Sequence, residues 1–335
     1  MNQFGRLFRL SILGESHGPC VGILLDGCPA GLPLDEADFT ADLERRRGGG
    51  APGTTPRRED DRPILQTGVH QGRTTGAPLL ILFENRQVDS SAYEAVKDLP
   101  RPGHADWVAW KKYGGFADMR GSGHFSGRLT AALVAAGVVA KKLLAPARVE
   151  ARLLEAGGSA DISRAVAAAM AAKDSVGGLV ECRVGGLPAG LGEPFFDSVE
   201  SLVAHGIFAI PAVKGIEFGA GFAASRLRGS EMNDVLEDVD GHTATNRAGG
   251  INGGITNGNE LVFRVAVKPT ASIRAPQATV DLRTHAPAVV AMGGRHDACI
   301  ALRAPVVVEA VAAAVLADLM MAEGRVPRIW TVQGS

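Results

Sequence analysis

The sequence predicts an α+β fold in which antiparallel sheets pack on central helices. Its 335 residues are 46% hydrophobic and 21% charged, the balance of a globular protein with a substantial core. Short apolar runs come in pairs bounded by glycines, whereas the regular alternation of strand and helix that builds parallel sheets is not sustained. We expect a single domain over residues 1–335, with a weak boundary between lobes near 145–160.

The hydrophobic pattern places each element. Alternating or glycine-bounded apolar runs predict strands over 7–13, 20–27, 78–85, 177–188, 212–219 and 259–269. Helical periodicity predicts helices over 35–46, 125–144, 160–173, 196–206 and 305–323. The second and the last of these helices are rich in alanine and interrupted by charge, which favours buried core helices over membrane spans of about 18 apolar residues.

Composition and charge exclude several classes of function. The net charge of −1 gives no bias towards nucleic acid or an anionic membrane, and we expect neither as a partner. The four cysteines are widely spaced without a CxxC pair, which favours reduced thiols in a cytoplasmic protein. The N-terminus does not have the pattern of a secretory signal. No P-loop, HExxH or metal-spaced Cys/His set occurs, so no metal is expected.

The segment GESHG at 14–18 matches the G-x-S-x-G pattern of a nucleophile elbow. An elbow needs a strand before the serine and a helix after it, but here a predicted strand follows. A phosphate-ester hydrolase that uses Ser16 stays as an alternative, as does a plain glycine turn. The third interpretation is that Ser16 and His17 are held where a ligand can approach the backbone, with His17 able to donate a proton.

The segment GSGHFSG at 121–127 leads into a predicted helix. It superficially resembles a dinucleotide-binding fingerprint, but the glycine spacing differs and no acidic residue ends a strand about 20 residues later. A glycine-rich loop before a helix still predicts an anion site, because free N–H groups and the helix dipole point at the ligand. Ser126 and Arg128 lie in or beside that first turn.

Three further polar clusters have both structural and functional interpretations. RPGHAD at 101–106 presents a histidine on a turn, which in isolation is simply solvated. The arginines at 45–47 and 57–58 form a solvated helix end, a nucleic-acid contact or a cluster that neutralises a small polyanion through bidentate contacts. GRHD at 294–297 sets a carboxylate beside two basic residues, as a surface pair or a poised base.

Together and in this order, these segments resemble the chorismate synthase family over about residues 5–322. No single motif is specific, but their ordered series is. The matching segments are GRLFRLSILGESHG, LERRR, TTPRRED, QTGVHQGRTTGAPLLILFEN, RPGHADW, KYG, the glycine-rich loop with its following helix start, GLPAGLGEPFFD, IPAVKGIEFG, NRAGGINGGI, VAVKPTASI and GRHDACIALRAPVVVEA.

The resemblance implies a fold, an activity and an assembly. It implies helices sandwiched between two antiparallel sheets, and a homotetramer. The implied reaction is a 1,4-anti elimination of phosphate from 5-enolpyruvylshikimate 3-phosphate to give chorismate, with reduced FMN required but no net redox change. NADPH is a possible reductant of the flavin. The substrate carries two carboxylates and a phosphate, so several arginines must converge to hold this charge out of water.

The resemblance also implies roles for individual residues. His17 would assist the leaving phosphate as a general acid, and His104 would protonate the reduced flavin. Asp297 would help the flavin to act as base for the C6 hydrogen. The positions that match substrate contacts are Ser16, Arg46 and Arg128. The positions that match flavin contacts are His124, Ser126, Ala212, Gly253, Lys268, Pro269, Thr270, Ala271, Ser272 and Arg295.

The chain departs from the family pattern at three places, one of which is the stretch between Ser272 and Gly293, which is shorter than in some members. A common form of the glycine-rich loop is GGGRSSARETA, whereas this chain has GSGHFSGRLTA, so that His124, Phe125 and Leu129 replace Arg, Ser and Glu. Pro52 stands where many members have a second arginine, which weakens the case for a nicotinamide contact. These departures motivate the alternative of a catalytically inactive relative that binds flavin or anions.

Overall fold

A computed structural model describes residues 2–48, 52–55, 59–94, 96–293 and 296–331. Its strands are β1 (Gln3–Phe4), β2 (Arg9–Gly14), β3 (Cys20–Asp26), β4 (Ile64–Thr67), β5 (Val69–His70), β6 (Arg73–Thr74), β7 (Leu79–Glu84), β8 (Arg148–Ala156), β9 (Gly178–Gly185), β10 (Val213–Phe218), β11 (Ile251–Asn252), β12 (Ile255–Thr256), β13 (Leu261–Val267), β14 (Gln277–Val280) and β15 (Pro287–Val290). Its helices are α1 (Thr40–Arg46), α2 (Ser91–Glu94), α3 (Asp106–Tyr113), α4 (Thr130–Leu144), α5 (Ile162–Ala171), α6 (Val199–Ile207), α7 (Gly229–Met232) and α8 (Ala304–Ala322).

Two antiparallel sheets form the outer layers. The first has the strand order β1-β2-β3-β7-β4, and the second has the order β10-β13-β9-β8. Alternate residues of β7 and β13 are buried, including Phe83 and Phe263, because successive side chains of a strand point to opposite faces. Each sheet therefore turns one apolar face towards the helices.

The helices α4 and α8 lie between the two sheets. α4 contacts β2, β3 and β7 of the first sheet, while α8 contacts β8 and β9 of the second, and the two helices pack on each other. Their axes come close at Gly137, where an added Cβ would lie 2.2 Å from the Cβ of Ala310. This layering confirms the predicted α+β fold with helices between antiparallel sheets.

The helix α8 is long and apolar enough, by length and composition, to cross a membrane. Its 19 residues have a mean hydropathy of 1.9, yet 78% of the apolar window is buried inside the protein. Two buried carboxylates on α8 bind the surrounding chain: Glu309 accepts from Arg45 and Lys141, and Asp318 accepts the backbone N–H groups of residues 6–8. These contacts are those of a core helix.

The structure differs from the sequence prediction at three elements. β8, the edge strand of the second sheet, forms where the pattern predicts no strand, while the weak lobe boundary near 145–160 stays a prediction. α3 begins at Asp106, the last residue of RPGHAD, where the pattern predicts no helix. The helix predicted from 125 begins only at Thr130, because Ser126 is extended, with a ψ of 143°, and Gly127–Leu129 form a 3-10 turn before α4.

Candidate active site

One cavity of about 520 Å³ collects most of the predicted site residues. Its volume lies within the range of about 300–1,000 Å³ that is typical of small-molecule sites. The cavity lies between the β2–β3 turn and the glycine-rich loop before α4. The segment before β10, the segment after β13 and the residues just before α8 complete its wall. The predicted residues that line it are Ser16, Arg46, His104, His124, Ser126, Arg128, Ala212, Lys268, Pro269, Thr270, Ala271, Ser272 and Asp297.

Among the described residues, two predicted site residues do not line this cavity, and a third predicted residue lies outside the described part of the chain. Gly253 lies in the turn between β11 and β12 and is not one of the lining residues. Arg295 lies outside the described residues, as do the arginines at 57–58. His17 lies next to the lining residue Ser16 but is not itself part of the lining.

The GESHG segment is a turn between two paired strands. β2 ends at Gly14 and β3 begins at Cys20, so a strand follows the serine, as predicted, and the elbow geometry of a serine hydrolase is absent. Ser16 is buried, and its backbone N–H donates to the carbonyl of Gly123 at 3.1 Å. The side-chain amide of Asn85 donates to two carbonyls of the turn, which holds its shape.

His17 packs against residues that form the cavity wall. Its Nδ1 lies 2.8 Å from the hydroxyl of Ser90, and its ring meets the edge of Tyr93 at a centroid distance of 5.4 Å. Tyr93 and Gly121 both line the cavity. A Cβ on Gly121 would lie 2.2 Å from Cδ2 of His17, so the imidazole occupies the space that any larger residue at 121 would need.

The glycine-rich loop ends in a capped helix start. The hydroxyl of Ser126 accepts the backbone N–H of Arg128 at 3.2 Å, which satisfies one of the free donors that begin the helix. His124, one of the departures from the family pattern, brings its Nδ1 to 2.8 Å from the carbonyl of Gly14. The imidazole therefore ties this loop to the end of β2, and Nδ1 carries the proton.

Two of the predicted substrate-binding arginines share one buried carboxylate. Nη1 of Arg46 lies 2.9 Å from one oxygen of Asp61, and Nη1 of Arg128 binds the other oxygen. Burial of Asp61 raises the pKa of its carboxyl, but the positive charges of the two arginines lower it more. The pKa of Asp61 therefore lies below its ordinary value. Burial also lowers the pKa of Arg46 to about 10, so that this guanidinium is still charged at neutral pH.

The remaining nitrogens of these arginines also have protein partners. Arg46 donates through Nε to Thr130 and through Nη2 to a loop carbonyl, and Arg128 donates through Nε to Asn85 and through Nη2 to the carbonyl of Glu84. Both residues are only 5% exposed. The buried positive charges also attract an anion into the cavity without any change in these bonds.

Asp297 stands in the cavity as one half of an ion pair. Its Oδ2 lies 2.5 Å from Nη2 of Arg303, and its Oδ1 accepts from Nε of Arg303 at 3.1 Å and from the backbone N–H of Thr55 at 2.9 Å. Both carboxylate oxygens are therefore bonded. Arg303, six residues later in the chain, was not among the predicted site residues, although it lines the cavity.

His104 belongs to a buried cluster with Arg101 and Asp106. Nδ1 of His104 lies 2.7 Å from Oδ1 of Asp106, and Arg101 binds both oxygens of that carboxylate at 2.7 Å. Burial lowers the pKa of His104, and the charge of Arg101 adds to this, while Asp106 opposes it. Burial opposes the charge of Asp106 too, but the bonds from Arg101 and His104 hold its pKa well below the ordinary range.

The loop after β13 presents an unpaired polar atom. Among the described residues, the hydroxyl of Thr270 is buried without a hydrogen-bond partner, although the residue lines the cavity. Buried polar atoms in proteins are nearly always paired, so this hydroxyl is suited to a ligand. Nearby, the N–H of Lys268 donates to the carbonyl of Ala212, whose φ of 73° turns the chain at the cavity wall.

The sequence is similar to known proteins over nearly its whole length. A family model described as "Chorismate synthase" matches residues 8–321. The chain belongs to the chorismate synthase family. It is 60% identical to the chorismate synthase of Chitinophaga pinensis over 98% of this chain and 99% of that protein, and 47% identical to that of Aeropyrum pernix over 96% and 93%. These matches confirm the predicted family and enzyme class, a lyase of the chorismate synthase type.

A solved structure supports the same assignment at the level of the fold. The structure titled "Crystal Structure of Chorismate Synthase" aligns with a TM-score of 0.74 at 26% identity and covers 96% of this chain and 93% of that one. The chorismate synthase fold thus accounts for the two antiparallel sheets and the helices between them.

Sequence reasoning missed several residues of this chorismate synthase site. Arg101 and Asp106 stand in the RPGHAD motif, yet only the histidine of that motif was assigned a role. Asp61 follows the second arginine cluster, and Arg303 stands in the segment GRHDACIALRAP. The sequence could have identified them because they lie in or beside motifs that match the family. Arg101 pairs with Asp106, and Arg303 with Asp297, within one segment. The pairing of Asp61 with Arg46 and Arg128 joins separate segments and is visible only in the fold.

Proposed function

We propose that this chain eliminates phosphate from 5-enolpyruvylshikimate 3-phosphate to give chorismate, the last common step of the shikimate pathway, with reduced FMN required and no net redox change. The observation that carries the proposal is the cavity in which His104, Asp297 and the buried arginines converge. That cavity occurs in a chain 60% identical to a chorismate synthase over nearly its whole length.

The charge of the cavity suits an anionic substrate. Among the described residues, five cationic side chains and three carboxylates line it, namely Arg46, Arg47, Arg128, Lys268 and Arg303 against Glu59, Asp61 and Asp297. The excess of positive charge in a partly enclosed space attracts a ligand with two carboxylates and a phosphate. The acidic members also keep the buried arginines paired, which avoids the large cost of isolated buried charge.

The lining also fits FMN. The buried unpaired hydroxyl of Thr270 provides a polar contact, and Lys268, Ser126 and the peptide groups of 268–272 would hold the rest of the cofactor. When bound, reduced FMN would supply reversible electron donation to the substrate. The protein's own contribution is to orient the two ligands and to keep water and oxygen from them.

The proton transfers are assigned to residues of this chain. His17 donates towards the leaving phosphate, and Nε2 of His104 faces the flavin, because its Nδ1 is bonded to Asp106. Asp297 assists removal of the C6 hydrogen, for which its ion pair with Arg303 must loosen. Positioned proton donors of this kind contribute about 10²–10⁴-fold to a rate.

An anaerobic assay tests the proposal. The purified chain with chemically reduced FMN should convert the enolpyruvyl substrate to chorismate and phosphate, and oxidised FMN should not support turnover. No turnover under these conditions contradicts the proposal. If the substrate tightens FMN binding without phosphate release, the chain is a catalytically inactive relative. Phosphate release that is indifferent to FMN and abolished by Ser16→Ala identifies a hydrolase.

The source of electrons needs a separate experiment. We propose NADPH as the reductant, and an oxygen-free assay with FMN and NADPH as sole reductant decides whether this chain reduces its own flavin. Turnover under these conditions assigns the reductase step to the chain. Turnover that appears only when a flavin reductase is added assigns it to another protein.

We also propose that the protein works as a cytoplasmic homotetramer. Large apolar side chains are exposed on the single chain, among them Phe195 and Phe196 at 87% and 92%. Exposed apolar patches commonly mark contacts between subunits. Light scattering in solution should give about four times the chain mass of 34.8 kDa, and a mass close to that of one chain contradicts the assembly.

A further inference from the structure

Asp106 connects a buried arginine to the histidine that lines the cavity. We propose that Asp106, clamped by Arg101, is a positioning residue that holds the proton of His104 on Nδ1, presents Nε2 to the ligand and stabilises the imidazolium when Nε2 takes up a proton. This inference rests on the proposed function, because His104 is taken to serve the chorismate synthase reaction. The positioning itself can be measured without turnover.

The hydrogen-bond geometry determines which nitrogen of His104 carries the proton. Nδ1 lies 2.7 Å from Oδ1 of Asp106 and 3.0 Å from Nη2 of Arg101. A carboxylate only accepts, and a guanidinium only donates. The two hydrogens of Nη2 have other acceptors, Oδ1 of Asp106 at 2.7 Å and the hydroxyl of Ser122 at 3.1 Å. Without a proton on Nδ1, two acceptors, Nδ1 and Oδ1, would lie only 2.7 Å apart. Nδ1 therefore donates to Asp106, and Nε2 is left for the ligand.

The carboxylate of Asp106 is itself fixed. Oδ2 accepts from Nε of Arg101 at 2.7 Å and from the backbone N–H of the same residue at 2.9 Å. Nη1 of Arg101 donates to Ser272 at 2.8 Å, and the guanidinium lies 5.7 Å from the ring centroid of Tyr93. A bidentate, buried arginine leaves the carboxylate little freedom. The imidazole is consequently oriented by a partner that cannot rotate away.

The charges around His104 determine whether loss of the Asp106 charge raises or lowers the pKa of the histidine. Asp106 favours the imidazolium, whereas Arg101, Lys268 and burial oppose it, and the resulting pKa of His104 lies below its ordinary value. Without the charge of Asp106, the groups that oppose protonation remain. The pKa of His104 then falls further, so the protonated form is lost at a lower pH than in the wild type.

A purely structural role for Asp106 is the competing explanation. The carboxylate bonds to the backbone N–H of Arg101 and stands at the first position of α3, so it also closes the turn at 101–106. Loss of that turn would reduce activity without any specific effect on the histidine. The test therefore needs a direct measurement on His104 as well as a rate.

Nitrogen NMR of the full-length protein labelled with ¹⁵N-histidine provides that measurement. The protein has eight histidines, and His104→Gln identifies the signal. In the wild type without ligands, we expect the proton on Nδ1 near pH 7. In Asp106→Asn, we expect a mixed or reversed tautomer and a titration midpoint at lower pH. Asp106→Glu, which keeps the charge, should return the midpoint towards the wild-type value.

The kinetic arm uses a matched control. Asp106→Asn should lower kcat by about 10²–10⁴-fold, as expected when a histidine loses the carboxylate that orients it, with a smaller change in KM. The limb of the pH profile that requires protonated His104 should move to lower pH. Asp197→Asn removes a carboxylate that is also bidentate to an arginine, Arg6, but lies on the surface outside the cavity, and should leave the rate and the profile unchanged.

Several results would overturn the inference. A wild-type His104 with its proton on Nε2 would do so at once, even if Asp106→Asn fails to fold. An unchanged tautomer and titration in a folded Asp106→Asn would show that the carboxylate only supports the turn, whatever the rate. If the wild type shows the Nδ1 proton but no chorismate synthase turnover, the proposed function fails and the positioning of His104 stands.

Discussion

Gly121→Ala tests how closely the glycine-rich loop fits around His17. Gly121 has a φ of +58°, and an added Cβ would lie 2.2 Å from Cδ2 and 2.4 Å from Nε2 of that histidine. The same Cβ would lie 2.9 Å from the hydroxyl of Ser16. The new methyl group therefore needs space that the imidazole occupies, in a backbone conformation that disfavours alanine.

Two separable costs set the expected magnitude. A left-handed conformation costs an alanine about 1 kcal/mol relative to glycine. Overpacking against a fixed neighbour adds about 1–3 kcal/mol. Gly158 supplies the control, because it has a φ of +77° and nothing within 4 Å of its added Cβ. Gly158→Ala should therefore lower the free energy of unfolding only by the cost of the left-handed conformation, about 1 kcal/mol.

Denaturant unfolding and the anaerobic turnover assay together distinguish the outcomes. If His17 stays in place, Gly121→Ala should be less stable than Gly158→Ala by about 1–3 kcal/mol. If His17 moves away, it loses its contacts with Ser90 and Tyr93, and turnover should fall by about 10²-fold with a smaller loss of stability. Equal stability and equal turnover in the two variants would refute the close packing of Gly121 on His17.

Three other predictions concern buried polar groups at the cavity wall and in α8. Thr270→Val removes a buried unpaired hydroxyl, so the melting temperature should stay level or rise. The affinity for FMN, measured by fluorescence, should fall about 2–10-fold, and an unchanged affinity contradicts the contact. Asp61→Asn leaves Arg46 and Arg128 without their shared carboxylate and should cost about 3–5 kcal/mol at pH 7. Because the folded pKa of Asp61 is depressed, its stabilisation is present above about pH 4, the ordinary range of an aspartate, and is lost as pH falls through the folded pKa. The stability gap between wild type and Asp61→Asn should therefore narrow on acidification, and a constant gap between pH 7 and pH 3 contradicts this. Glu309→Ala should lower the free energy of unfolding by about 3 kcal/mol without changing KM, because the residue is buried in α8 outside the cavity. An altered KM with normal stability would contradict a role of Glu309 in the core.

The sequence by itself determined the layers of the fold and the family. The continuous apolar run LLILFE and the apolar character of α4 and α8 are local signals, because strands and helices enclosed in a core are apolar on more than one face. The GESHG, GSGHFSG and RPGHAD segments were also visible locally. Each is framed by glycine or proline, residues that a tight turn requires whatever the rest of the chain does.

Tertiary structure decided the partners and the charge of each functional group. Asp61 stands near the second arginine cluster in the sequence, but only folding brings it between Arg46 and Arg128. The edge strand β8 was missed because the alternation of its apolar residues breaks at the irregularity between Leu153 and Glu155, and its place depends on pairing with β9. A sequence records which groups can ionise, whereas burial and the distance to a counter-charge set their pKa and hydrogen bonds, and both arise from packing between distant segments.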